Sequence, residues 1–237
     1  MSSYLETDIN YDDAIKFYDE EQQRLKLLME KMNLQKQNKN VVRDPNCESC
    51  KINGYYSCTD AALIGHLECL KYAHENGCEW DKYTCIYAAS NGHLECLKYA
   101  HENGCKWDQI TCEVSARNGH LDLLKYAHEN GCEWEKYTCI YAASNGHLEC
   151  LKYAHENGCK WDQITCEVSA RNGHLDLLKY AHENGCPWDK WTYKAAQYKR
   201  HQDCLKYAIE NGCPKAAQYK GHQDCLKYAI ENGCPKA

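Results

Sequence analysis

The 237-residue chain has no run approaching the ~18 consecutive apolar residues that a membrane span requires, so no membrane partner is expected. Nor is there an excess of positive charge. Its 28 lysines and arginines are outnumbered by 34 aspartates and glutamates, for a net charge of −6 and a pI near 6.1. A nucleic-acid-binding domain usually shows a basic stripe, so nucleic acid is not an expected partner. The opening residues, MSSYLETDINYDD, contain neither the basic nor the apolar stretch of a secretory leader. An intracellular, cytoplasmic location is the expectation. No Ser-His-Asp set, glycine-rich phosphate loop or pair of carboxylates stands out, so neither an enzyme nor a cofactor is expected.

What is present is repetition. The string NGH recurs with its histidine at His93, His120, His147 and His174, each 27 residues after the last. His66 and His201 keep that spacing with altered neighbours, and His222 follows after 21. Periods of this size mark stacked arrays, in which one small unit cannot bury its apolar face alone. The chain divides into residues 1–46, a helix and linker, and an array of about seven units over 47–237, the last truncated.

One unit, read from Trp80, is WDKYTCIYAASNG-HLECLKYAHENG-CK. Asp81 is a natural N-cap for a first helix, with Thr84 as the alternative. Gly92 ends that helix. The second runs from Leu94 to Asn103 and ends at Gly104, where NG suits a left-handed C′ residue. Only Cys105, Lys106 and Trp107 separate it from the next cap, Asp108, which leaves no room for a β-hairpin. Helices this short are marginal alone, so stacking must supply their order. Ala88 and Ala89 let helices approach, and the tryptophans at 80, 107, 134, 161 and 188 fill the gap between units.

Ahead of the array, Ile15, Tyr18, Leu25, Met29 and Met32 take a and d positions of a heptad frame, with Gln22 the polar exception. This predicts an amphipathic helix over about 11–34. It would cover the open end of the stack; the alternative is a weak dimerisation segment, and three heptads are marginal for that.

The cysteines number nineteen. Without a leader the default is reduced thiols. The position of Cys69, Cys96, Cys150, Cys204 and Cys225 becomes leucine at Leu123 and Leu177, and that of Cys85 and Cys112 becomes Tyr193. A metal-bound thiolate or nucleophile would not tolerate leucine or tyrosine, but a small buried hydrophobe would. No metal is therefore expected in the units. Cys47-x-x-Cys50, followed by Cys58 and His66, is the one arrangement with ligand-like spacing, and a lone CxxC is a weak signal. The histidines of the His74 position lie near a helix C-terminus, which mildly favours a partly positive imidazole. That position becomes Ile209 and Ile230, so no catalytic duty attaches to it.

The stretch AASNGHLECLKYAHENGC, residues 88–105, resembles the ankyrin pattern A-A-x-x-G-H-x-x-V-V-x-L-L-L-x-x-G-A. The T-P-L-H-x-A hallmark of that family is half present in TCIYAA, residues 84–89, which has one residue fewer between Thr84 and the first alanine and lacks the proline. The resemblance covers about residues 54–237 and is similar in kind to the short, cysteine-rich repeats of giant DNA viruses and protists; a viral source would make the host cytoplasm the location. It implies an all-α, ankyrin-like solenoid of helix-turn-helix units whose β-hairpin fingers are reduced or absent, because the six residues missing from a 33-residue repeat correspond to the finger. It also implies a backbone-bonding role for the turn histidines, and a protein–protein interaction module whose first helices line the concave side.

Second helices scarcely change between units, whereas first helices do. Residues four apart share a helix face. The resulting strip is Lys82, Ile86 and Ser90; Gln109, Glu113 and Arg117; Lys136, Ile140 and Ser144; Gln163, Glu167 and Arg171; and Lys190, Lys194 and Tyr198. Tyr87 and Tyr141 lie beside it. The candidate partner-binding residues are Lys82, Ile86, Tyr87, Ser90, Gln109, Glu113, Arg117, Lys136, Ile140, Tyr141, Gln163, Glu167, Arg171 and Lys194. The partner expected is another protein. The rival reading is a metal- or redox-responsive thiol-rich scaffold. Residues 83–132 are identical to 137–186, so the two-unit alternation of the strip also reflects a copied block.

Overall fold

A computed structural model describes residues 57–214. The expected N-terminal helix, the linker, Cys47 and Cys50, and the truncated last unit lie outside the described residues. Within them the chain forms helices α1 (Cys58–Ile64), α2 (Leu67–Glu75), α3 (Lys82–Ser90), α4 (Leu94–Glu102), α5 (Gln109–Arg117), α6 (Leu121–Glu129), α7 (Lys136–Ser144), α8 (Leu148–Glu156), α9 (Gln163–Asn172), α10 (Leu175–Glu183), α11 (Lys190–Tyr198) and α12 (Gln202–Glu210). No strand is present among the described residues.

Side-chain chemistry at the ends sets each helix length. Asp81 accepts from the Tyr83 amide at 3.1 Å, Asp108 from Ile110 at 3.0 Å, and Asp189 from Trp191 at 2.8 Å. Ser57 and Asp60 close a reciprocal capping box at α1. Glu135, one methylene longer than aspartate, makes no such cap at α7. At the other end of α4, the Gly104 amide bonds the His101 carbonyl at 3.0 Å and the Cys105 amide bonds Ala100 at 2.9 Å. That is a Schellman stop, which places an apolar residue just past the glycine. The cysteine after each NG fills that place, and Cys105, Cys132, Cys159, Cys186 and Cys213 are all buried.

Odd-numbered helices form one layer and even-numbered helices the other, each first helix packing on its own second helix and on the next first helix. The first-helix layer approaches closely through Cys85, Ala88, Ala89, Cys139, Ala142 and Ala143, all fully buried. Leu70, Leu97, Leu124, Leu151 and Leu178 seal the second layer against it. Cys96 and Leu123, equivalent positions of successive units, are both buried, so one site takes either side chain as a hydrophobe.

Two ladders cross the seams between units. The His93 Nε2 proton is donated to the Leu63 carbonyl of the preceding unit at 3.2 Å, and His120 and His174 reach Ser90 and Ser144 in the same way at 3.3 and 3.1 Å. A carbonyl can only accept, which fixes the proton on Nε2 without requiring a positive ring. The second ladder is aromatic. Trp107 stacks on His101 at 3.6 Å and meets Tyr126 of the next unit edge-on at 6.1 Å. Trp134, Trp161 and Trp188 repeat this arrangement. The expectation that tryptophan fills the inter-unit gap is met, with each indole half-buried.

The histidines under these indoles correct one expectation. Burial pulls the pKa of His101, His128 and His155 below the ordinary 6.5, opposite to the direction in which a helix C-terminus would move it.

The glycines fall into two sets for a physical reason. Gly92 has φ of +80°, and a Cβ there would meet the His120 ring at 2.9 Å. Gly104 has φ of +90° with open space around it. Gly104→Ala is therefore expected to cost about 1 kcal/mol from backbone strain alone. Gly92→Ala should cost roughly 2–3 kcal/mol, because the next unit's histidine must also be displaced. Arg200 holds a left-handed φ of 60° in the sixth unit, so Arg200→Gly should raise stability by about 1 kcal/mol. Urea unfolding of the three variants checks the order.

Candidate interaction face

The strip Lys82 to Lys194 does lie on the first-helix layer, but much of it is not surface. Ile86 and Ile140 are each 1 % exposed, Tyr87 3 % and Tyr141 0 %. Glu113 and Glu167, central on their helices, are 2 % and 5 % exposed. These six are corrected from binding residues to interior ones. Helical spacing identifies which residues share a face, but it cannot say how deep that face lies when both flanking first helices press against it. Ser144 is buried as well.

What remains reachable is the two ends of each first helix. Gln109 and Gln163 are half-buried in the first turn; Ser90, Arg117 and Arg171 are half-buried at the last. Lys136 is exposed and pairs with Asp162 of the next unit at 2.9 Å, an exposed pair worth less than about 1 kcal/mol. Asn118 and Asn172 donate to the Ser90 and Ser144 carbonyls across the seam at 2.9 and 3.0 Å, whereas Asn91 and Asn145 bond back within their own helix. The two-unit alternation thus has a structural register.

The sixth unit differs. In α11, Lys194 stands where Ile86 stands in α3, and Ala195 replaces Tyr87. Lys190 and Lys194 lie over the Trp191 ring at 5.2 and 4.2 Å, and Lys199 over Tyr198 at 5.5 Å. Tyr198 is 77 % exposed, and Lys199 and Arg200 are also exposed. Trp191 was absent from the candidate strip because it occupies the position of Tyr83, one residue off the i, i+4 row. Its signal was the second tryptophan of WDKWTY, beside lysines.

Second helices present a different surface. Lys98, Lys125, Lys152 and Lys179 lie over Tyr126, Tyr153, Tyr180 and Tyr207 of the following unit, at 5.6–6.0 Å. Glu68, Glu95, Asp122, Glu149 and Asp176 stand exposed in their first turns. Among the described residues, no group of three or more His, Cys, Asp or Glu is arranged to hold a metal ion. None of the described helices is long and apolar enough to cross a membrane.

Residues 58–101 match the family model described as ankyrin repeats (many copies). Among solved structures, the crystal structure of the human ASB11 ankyrin repeat domain is similar, with a TM-score of 0.60 at 18 % identity, covering 77 % of this chain and all of that one. No curated protein matches the sequence. The fold is an ankyrin-repeat solenoid without hairpin strands among its described residues, as the 27-residue period implied.

Glu167 carries a measurable consequence. Burial, then the Asp189 carboxylate, pushes its pKa up to about 7, with Arg171 opposing and Asp162 adding to the rise. An acid whose pKa rises on folding binds more protons folded than unfolded, so stability falls as the pH climbs from 4.5 to about 7. His101, His128 and His155 act oppositely, withdrawing stability as the pH drops through 6.5. Glu167→Gln should raise the melting temperature at pH 8, by the equivalent of about 1–3 kcal/mol, and change it little at pH 4.5. Melting curves across that range test the sign; equal curves for both proteins would show that the carboxyl is not withdrawn from water.

Proposed function

We propose that the chain is a non-enzymatic protein–protein interaction module that docks an acidic segment of another protein against its first-helix layer. The reachable part of the strip (Ser90, Gln109, Arg117, Lys136, Gln163, Arg171 and Lys194) supplies the edge of the site. Its centre is the sixth unit, where Lys190 and Lys194 lie over Trp191, Lys199 lies over Tyr198, and the exposed Arg200 follows in the turn.

One observation carries this reading: in α11 Lys194 takes the place of the packed Ile86 and lies over a half-buried Trp191, beside the exposed Tyr198 at the end of the helix. Aromatic and arginine side chains concentrate binding energy at interfaces, and cations select a carboxylate-bearing partner. The stack fixes these side chains beforehand, which lowers the ordering cost of association. The ankyrin-repeat likeness supports the same class of function. A cytoplasmic setting fits the reduced thiols.

Affinity capture with the whole chain tests the proposal against a built-in control. Lys190→Glu, Lys194→Glu and Arg200→Glu together should abolish capture of the partner, while Lys98→Glu, Lys125→Glu and Lys152→Glu on the second-helix layer should leave it. Binding should also weaken as salt rises. Partners lost only with the second-helix variant would place the site on the opposite layer and overturn the assignment.

A further inference from the structure

The thiols form a second repeating feature, independent of the docking face. In five successive units the first-helix cysteine meets the cysteine that follows the second helix, twenty residues later. The pairs are Cys58 with Cys78, Cys85 with Cys105, Cys112 with Cys132, Cys139 with Cys159 and Cys166 with Cys186. In the second pair the sulfurs are 3.3 Å apart. Backbone groups hold both partners in place. The Cys105, Cys132, Cys159 and Cys186 thiols donate to the N-cap carbonyls of Asp81, Asp108, Glu135 and Asp162 at 3.2–3.5 Å. Cys112 and Cys139 approach the partner's carbonyl at 3.9 and 4.0 Å.

A disulfide has sulfurs about 2.05 Å apart, so closing Cys85 onto Cys105 needs an approach of little more than ~1 Å. The sixth unit has Tyr193 where the others have the first cysteine, and Cys213 keeps its carbonyl contact to Asp189 at 3.2 Å with no thiol partner on the first helix. Packing alone explains why these residues are small and apolar. It does not require each first-helix cysteine to meet the cysteine twenty residues later in unit after unit, with the sulfurs of Cys85 and Cys105 in direct contact.

We propose that these pairs are redox-closable dithiols, each of which a small-molecule disulfide converts to a bond stapling the first helix to the turn after the second. The chemistry is two successive exchanges. One cysteine thiolate attacks the reagent R–S–S–R, forming a mixed disulfide and releasing R–S⁻. The partner thiolate then attacks the cysteine sulfur of that mixed disulfide and expels the second R–S⁻. The two protons lost by the cysteines end on the two released thiols. Two cysteine thiols are oxidised and one reagent disulfide is reduced.

Access sets the order of closure. Burial disfavours the thiolate, so a pair reacts only as its unit opens. Cys78 is the one half-exposed cysteine among the described residues; the other fourteen are buried. The Cys58–Cys78 pair therefore closes first and the interior pairs follow slowly. A closed unit resists opening, so oxidation reinforces the array.

The test uses the whole reduced chain, held folded in neutral buffer with excess 2-hydroxyethyl disulfide, then acid-quenched, alkylated and mapped by mass spectrometry. The expected result is loss of two hydrogens per closed pair. A Cys58–Cys78 link should appear first, then links joining cysteines twenty apart, while Cys96, Cys150, Cys204 and Cys213 remain alkylated. Because residues 83–132 and 137–186 are identical, their pairs are read together. Cys85→Ser should remove about half of the 85–105/139–159 link and leave Cys58–Cys78 intact; that arithmetic distinguishes pairing from scrambling. Links between units, persistent mixed disulfides, or bonds that form only after guanidinium has melted the helices would each overturn the proposal.

Discussion

The structure depends on the seam between units, where one unit's histidine completes the helix end of the unit before it. His120 illustrates the constraint. Its ring rests over Gly92, where no Cβ could stand, and its Nε2 proton satisfies the Ser90 carbonyl at the end of α3. Asn118 donates to the same carbonyl, so the two side chains of one unit share the end of the helix before it, and a Cβ at Gly92 would push the His120 ring out of that arrangement. Nine-residue helices with so little internal support gain their order from such contacts, and the tryptophan ladder repeats the bargain on the other side of the stack.

That constraint explains why the fold could be read from the sequence and the face could not. Spacing of NGH gave the unit, Asp81 its start, and the two glycines its stops, because each is a local matter of backbone geometry. The interchange of Cys96 with Leu123 identified a buried position for the same reason. Depth is not local. Ile86 and Glu113 sit on the same row as Lys82 and Arg117, yet the adjoining first helices take the middle of that row out of solvent and leave its ends. The pull on His101, His128 and His155 escaped the sequence for a related reason: a helix C-terminus favours positive charge, but burial beside the stacked indole opposes it.

The same economy shapes the surface of the first-helix layer. A layer built from small residues has little apolar surface to offer, and in the last described unit Lys194 and Ala195 replace Ile86 and Tyr87, which changes the character of that layer. The copied block 83–132 and 137–186 lengthens the stack without adding a new surface, which leaves the sixth unit as the one whose first helix differs most.

The seam is tested most directly by hydrogen exchange on the whole chain carrying His120→Ala. If units order one another, amide protection should fall in α3 and α4 of the preceding unit as well as in α6, since Ser90 loses one of its two donors and Gly92 loses the ring packed against it. Loss of protection confined to α6 and its own turn would contradict the account, because it would mean that each unit holds its shape unaided.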